Sequence, residues 1–295
     1  DFIVTWQSNA QDGSSLGIYS QQFDSAGTRI GGEVLVNTTT TNGQQEPSVA
    51  YSGNKAVVVW GGQGTGDMTG VFSQRFTTTN YSTITVDTTS DVSDGTVTSI
   101  AALLNNEGAD GKISLREAIA AANNSANGTG GADRIVFNIA LNDTNHIYYR
   151  DNGVAGTFSN PVSTTLADGS ITDFDADYLA GTARSWYRIT LTGSDLNVSQ
   201  AVIIDGSTQF GYDASMGPII ELNAAGVASG DPNGLTLTTG ASTVCGLVIN
   251  RGGDDAIEID VNANGSTIAG NYLGTDVSGL QTTFGNRYGI TVKSD

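Results

Sequence analysis

The chain has 295 residues, among them 39 glycines, 4 prolines, 12 lysines and arginines, and 30 aspartates and glutamates. That length suits two ordinary domains, and glycine with abundant Thr, Ser, Asn and Asp suits an all-β chain with many tight corners. The net charge of −18 argues against a nucleic-acid partner, no stretch is long or apolar enough to span a bilayer, and the single cysteine, Cys245, permits no internal disulfide.

Residues 1–80 carry an internal repeat. Phe2-Ile3-Val4-Thr5-Trp6 matches Ala56-Val57-Val58-Val59-Trp60, and Gly17-Ile18-Tyr19-Ser20-Gln21-Gln22-Phe23 matches Gly70-Val71-Phe72-Ser73-Gln74-Arg75-Phe76. Alternating strands at this spacing predict about one and a half repeats of a β-array, such as propeller blades. The Trp and Phe residues are expected in the core between repeats. The chain begins within a strand pattern and shows no signal peptide, so it reads as a segment of a longer protein.

Residues 81–140 change character. Ser82–Val86 reads as a strand, and helical stretches follow at Ser99–Leu104 and Ser114–Ala122. In the second, Leu115, Ala118, Ile119 and Ala122 share one face, and Ser114 with Glu117 has capping-box spacing. This amphipathic helix is expected to cap the apolar end of a stacked β-domain, with Arg134–Ile139 as its first strand. The intervening stretch also fits a divergent calcium loop. Asn106, Asp110, Lys112 and Glu117 take the first, fifth, seventh and twelfth places of an EF-hand-like loop, with Gly111 at the sixth. Asn replaces the usual first Asp and Gly108 offers no side-chain oxygen at the third place, so helix capping explains Glu117 equally well.

Residues 141–188 read as a polar insertion with the only histidine, His146, and the aromatics Tyr148, Tyr149, Trp186 and Tyr187. Asp173, Asp175 and Asp177 alternate; on a strand they would line one face and attract a cation. From residue 189 to 295 short apolar strands recur. Ser242-Thr243-Val244 returns as Ser266-Thr267-Ile268, 24 residues on. Leu235-Thr236-Leu237 returns as Ile257-Glu258-Ile259 after 22 residues, and that unit returns as Ile290-Thr291-Val292 after 33. Such periods predict a parallel β-solenoid whose equivalent residues stack.

Asp110–Ile119, Ala132–Asn138, Ile203–Gln209, Pro218–Leu222, Gly246–Arg251 and Gly270–Asp276 together resemble bacterial right-handed parallel β-helix proteins of the pectin-lyase-like fold. Residues 1–80 are similar to the tandem repeats of very long secreted or surface proteins. The resemblance implies an adhesin-like or structural segment of an extracellular, cell-surface bacterial protein, and it carries over no catalytic residue. The expected class is therefore all-β: a right-handed parallel β-helix with an N-terminal helical cap, preceded by part of a propeller-blade-like array.

A carbohydrate-active β-helix, hydrolase or lyase, is the alternative. It would need paired carboxylates, or a carboxylate and a base, facing one groove. Asp254 and Asp255 are adjacent and would point to opposite faces; Arg251 is the candidate base, and His146 lies far off in the insertion. A calcium-dependent glycan-binding module is a third reading. The expected partners are cell-surface glycans or other surface proteins, with Ca2+ the one cofactor considered.

Overall fold

The computed structural model describes residues 2–23, 27, 29–52, 55–64, 66–77, 82–127, 131–178, 181–228, 230 and 232–294. The chain divides into two compact units, Asp1–Tyr81 with Gly128–Gly131, and Ser82–Asn127 with Ala132–Asp295.

The first unit contains two antiparallel three-stranded sheets. One joins β1 (Phe2–Asn9), β2 (Leu16–Phe23) and β3 (Arg29–Leu35); the other joins β4 (Gln44–Ser52), β5 (Lys55–Gly64) and β6 (Asp67–Thr77). The sequence repeat maps onto equivalent ladders. Trp6 lies opposite Tyr19 and Trp60 opposite Phe72, each pair stacked at 6.3 Å between ring centroids. Ile18, Val36, Val58 and Trp60 form the core of this unit. A buried amide pair closes it. Asn37 accepts from the Ile18 amide and donates to Gln44 Oε1, and Gln44 donates to the carbonyls of Thr41 and Gln63. Buried amides this well satisfied fix one arrangement of the strands around them.

The second unit begins with β7 (Thr83–Val86), α1 (Ile100–Asn105), α2 (Leu115–Asn123) and β8 (Asp133–Phe137). Then come β9 (His146–Tyr148), β10 (Val162–Ser163), β11 (Trp186–Gly193), β12 (Leu196–Val198) and β13 (Val202–Asp205). The remainder is β14 (Ile220–Val227), β15 (Leu235–Leu237), β16 (Thr243–Cys245), β17 (Leu247–Asn250), β18 (Asp255–Ile259), β19 (Thr267–Ala269), β20 (Tyr272–Leu273) and β21 (Tyr288–Val292). They assemble as β10-β9-β11-β14-β17-β20, β12-β15-β18-β21 and β19-β16-β13-β8-β7.

The expected fold class is corrected by this topology. Among the described residues the molecule has five sheets of mixed parallel and antiparallel pairing, and it is neither a clear right-handed parallel β-helix nor a closed barrel. Within each sheet of the first unit successive strands follow one another through short connections, which only antiparallel neighbours can use. The hairpin of β9 and β10 pairs antiparallel and meets β11 antiparallel, so the largest sheet is itself mixed. The sequence periods specify local stacking only. Val244 pairs with Ile268, Ile249 with Leu273 and Ile257 with Ile290, all in parallel register. A repeat length says which strands are neighbours and leaves the wider winding open.

The core of this unit is continuous from α2 to the last ladders. Leu115, Ala118, Ile119 and Ala122 are buried with Ile84, Ile135, Ile204, Val244 and Ile257. The helix lies against β7, β8 and β12. Ser114 and Glu117 make both halves of the capping box that their spacing predicts. The aromatics of 141–188 pack inward rather than forming an open platform: Tyr149 contacts Phe158, Tyr178 and Trp186 at 4.7–6.0 Å between centroids.

Candidate functional site

The EF-hand-like residues are arranged as a cap. Glu117 is buried; its Oε1 accepts from the amides of Asp94 and Gly95 at 2.8 and 2.7 Å, and its Oε2 from the amide and hydroxyl of Ser114 at 2.9 and 3.0 Å. Asp110 Oδ1 accepts from the Lys112 amide, and Asn106 donates to Thr96 Oγ1. Lys112 forms an ion pair with Asp87 at 2.9 Å, and that hydrogen bond with its attendant charge raises the lysine pKa. Gly108, at φ +96°, sits against Asp94 where a side chain would collide. Each of the four candidate side chains thus has a partner within the loop region.

Asp173, Asp175 and Asp177 lie on an isolated bridge and turn rather than a strand; Asp175 and Asp177 line one hollow with Asp151, and Asp173 is not among its lining. Asp173 is exposed and accepts from the Tyr148 hydroxyl; Asp175 is buried and accepts from the Asp177 amide; Asp177 accepts from the Thr157 amide. Among the described residues no group of three or more His, Cys, Asp or Glu side chains is placed to hold a metal ion.

The residues weighed for polysaccharide cleavage are dispersed. Asp254 faces Arg287 at 3.5 Å, while Asp255 is buried and accepts from Thr291 Oγ1. Arg251, at φ +59°, gives Nη1 to Glu221 Oε1 at 2.9 Å and lies 3.7 Å over the Phe284 ring. Glu221, unremarked in the sequence, is a hub. Its two oxygens also receive Trp186 Nε1, Arg188 Nε and Asn250 Nδ2. Burial alone would raise its pKa. The charge and hydrogen bond of Arg188, with Asn250 and Trp186, outweigh burial and hold the carboxyl below its ordinary range. This assembly ties β11, β14 and β17 together; it has no open side for a substrate.

An open cleft of about 380 Å³ lies over the start of β11. Its floor is His146 on β9, Ser185, and Tyr187 on β11, brought together because Tyr187 pairs directly with His146 across the antiparallel ladder. The two rings stack at 4.5 Å. One wall is the turn at Asp168–Ser170; the other is Phe210, Tyr212, Asp213 and Met216 from the connection between β13 and β14. That second wall is pinned by Gln209, which is buried and mimics a strand. Its Oε1 accepts from the Ile139 amide and its Nε2 donates to the Ile139 carbonyl, at 2.8 and 2.9 Å.

His146, Ser185 and Asp168 form a chain whose order differs from that of a catalytic triad. Ser185 donates its hydroxyl to Asp168 Oδ1 at 2.5 Å, and its amide donates to the same oxygen at 2.8 Å. His146 Nε2 lies 2.7 Å from Ser185 Oγ, while Nδ1 donates to the Leu141 carbonyl at 2.8 Å. In a catalytic triad the carboxylate orients the imidazole and the imidazole takes the serine proton. Here the one Ser185 proton faces two acceptors, Asp168 Oδ1 at 2.5 Å and, in the neutral ring whose Nδ1 donates to Leu141, the Nε2 atom at 2.7 Å, and the carboxylate contacts the serine rather than the imidazole. The cleft floor is a rigid polar surface, and Phe210 stands 72% exposed at its edge.

Burial raises the Tyr187 pKa to about 12, Gln209 opposes the shift, and the negative charges of Asp168 and Asp143 add to it. Sequence reading missed this cleft. Its signals were the lone His146 and the aromatic run Phe210-Gly211-Tyr212, and nothing in the sequence joined them. Neither family models, nor curated proteins, nor solved structures offer a match to this chain.

Proposed function

We propose that this chain is a non-enzymatic, adhesive segment of an extracellular bacterial surface protein, and that the cleft over His146 is its ligand contact. The observation that carries the reading is the cleft itself: open, aromatic-edged, with a floor whose hydrogen bonds are spent internally. Rings beside a few fixed polar groups are what small-molecule and saccharide sites use for orientation. The acidic surface supports an extracellular setting through solubility and repulsion of polyanions. The enzymatic alternative has less support, because Asp254, Asp255 and Arg251 are each engaged in separate structural contacts.

The test uses the intact chain on a surface array of glycans, beside assays for reducing ends, unsaturated products and ester cleavage. Retention on the array that is lost in a Phe210→Ala, Tyr212→Ala double variant, without turnover, is the expected result. Turnover abolished by Ser185→Ala would replace adhesion with catalysis.

A further inference from the structure

The cleft has a marked charge character. Its carboxylates are Asp168 and Asp213, its rings are Tyr187, Phe210 and Tyr212, and no lysine or arginine lines it. His146 is buried in the floor, with Nδ1 donating to Leu141 and Nε2 against Ser185 Oγ. The nearby cation, Arg184, is buried and bonded to the carbonyls of Met216 and Val277, behind the cleft wall, where its charge reaches Asp213 without entering the cleft lining. Asp213 is exposed, and hydrogen bonds from the Ser215 side chain and amide lower its pKa, which keeps it ionised. Asp168 Oδ1 is occupied by Ser185, while its Oδ2 makes no hydrogen bond among the described residues.

We infer that the cleft selects a positively charged organic ligand, an ammonium group carried on a compact apolar or saccharide body. The inference rests on the binding reading above and adds the ligand's charge. A cation over an aromatic face is attracted by the ring quadrupole, and a quaternary or primary ammonium brings both the charge and the apolar bulk that such a site needs. Two carboxylates in the same cleft add Coulombic attraction where part of the solvent is displaced. The net charge of −18 draws cations toward the whole surface and repels acidic sugars. Rings alone would accept any sugar; the two carboxylates, in a lining without lysine or arginine, supply the discrimination.

Isothermal titration of the intact chain tests this, with choline, glucosamine, glucose and glucuronate as probes at two salt concentrations. Choline and glucosamine should bind, and glucose should bind at least about tenfold more weakly, a difference of roughly 1.4 kcal/mol. Glucuronate should give no heat, and added salt should weaken the two cations. Asp213→Asn should lower their affinity about tenfold while leaving the melting midpoint unchanged, since Asn keeps an acceptor for Ser215. Phe210→Ala, at an exposed position, should likewise weaken binding without loss of stability. Equal affinity for glucose and glucosamine would overturn the charge selectivity and leave the adhesive reading standing. Cation binding unaffected by either variant would overturn the site. Silence with every probe would overturn the inference, and the glycan array then decides separately whether the adhesive reading survives.

Discussion

Two buried carboxylates account for most of the residue-scale chemistry. Glu221 is held by Trp186, Arg188, Asn250 and Arg251. Glu221→Gln would leave two arginines without their counter-ion and should cost about 3 kcal/mol, the lower end for a broken buried pair, because Arg188 and Arg251 keep 20% and 23% side-chain exposure. The pH dependence follows from the depressed pKa. A carboxyl lowered on folding contributes stability above its unfolded value, near 4.3, and loses it as pH falls through the folded value. The gap between wild type and Glu221→Gln in urea melts should be full at pH 7 and shrink below about pH 4. A gap that is constant with pH would mean that packing, not charge, is lost. Glu117 makes a similar case at the helix start. Glu117→Ala should cost about 1–3 kcal/mol by orphaning the amides of Asp94, Gly95 and Ser114, and Glu117→Gln less. Melting each with calcium and with chelator checks whether the carboxylate has a second role. A calcium-dependent midpoint in wild type that vanishes in Glu117→Gln would show that it does.

At the scale of elements, what the sequence disclosed and what it hid have separate physical causes. Capping and stacking are short-range or periodic, so they can be read. Ser114 and Glu117 are three residues apart and make their box, and the 24-residue interval places Val244 beside Ile268. The apolar face of α2 was equally legible, and Leu115→Ala should cost about 2–5 kcal/mol, measurable as a lowered denaturation midpoint with unchanged slope. Direction of pairing was legible for the periodic strands after residue 189, which pair parallel, and not for the segment before them. With three residues in β9 and two in β10 there is no period to read, and both pair antiparallel. The cleft was hidden for the same reason. His146 and Ser185 stand 39 positions apart, and only the register of β9 against β11 joins them. Asp173, Asp175 and Asp177 show the converse. Their alternation suggested one shared face, but without a strand the period has no geometric meaning.

For the whole molecule the two compact units have separate cores, so their stabilities should be separable. Trp60 is nearly buried in the first unit, and Trp60→Ala should cost about 3–5 kcal/mol there. It should leave hydrogen exchange of β14 and β17 amides unchanged. Loss of protection in those strands would show that the units unfold as one. The functional proposal at this scale is an acidic molecule that binds a cation in the aromatic-edged cleft over His146. The measurement closest to that claim uses the only histidine as a built-in reporter. His146 gives a single imidazole spectrum, and long-range 1H–15N correlation of the intact chain will follow it during a choline titration. The account predicts a saturable shift of that signal, with Nδ1 protonated throughout by its bond to Leu141, and loss of the shift in Phe210→Ala. An imidazole signal that stays fixed while choline binds elsewhere, or an Nδ1 found without its proton, would contradict it.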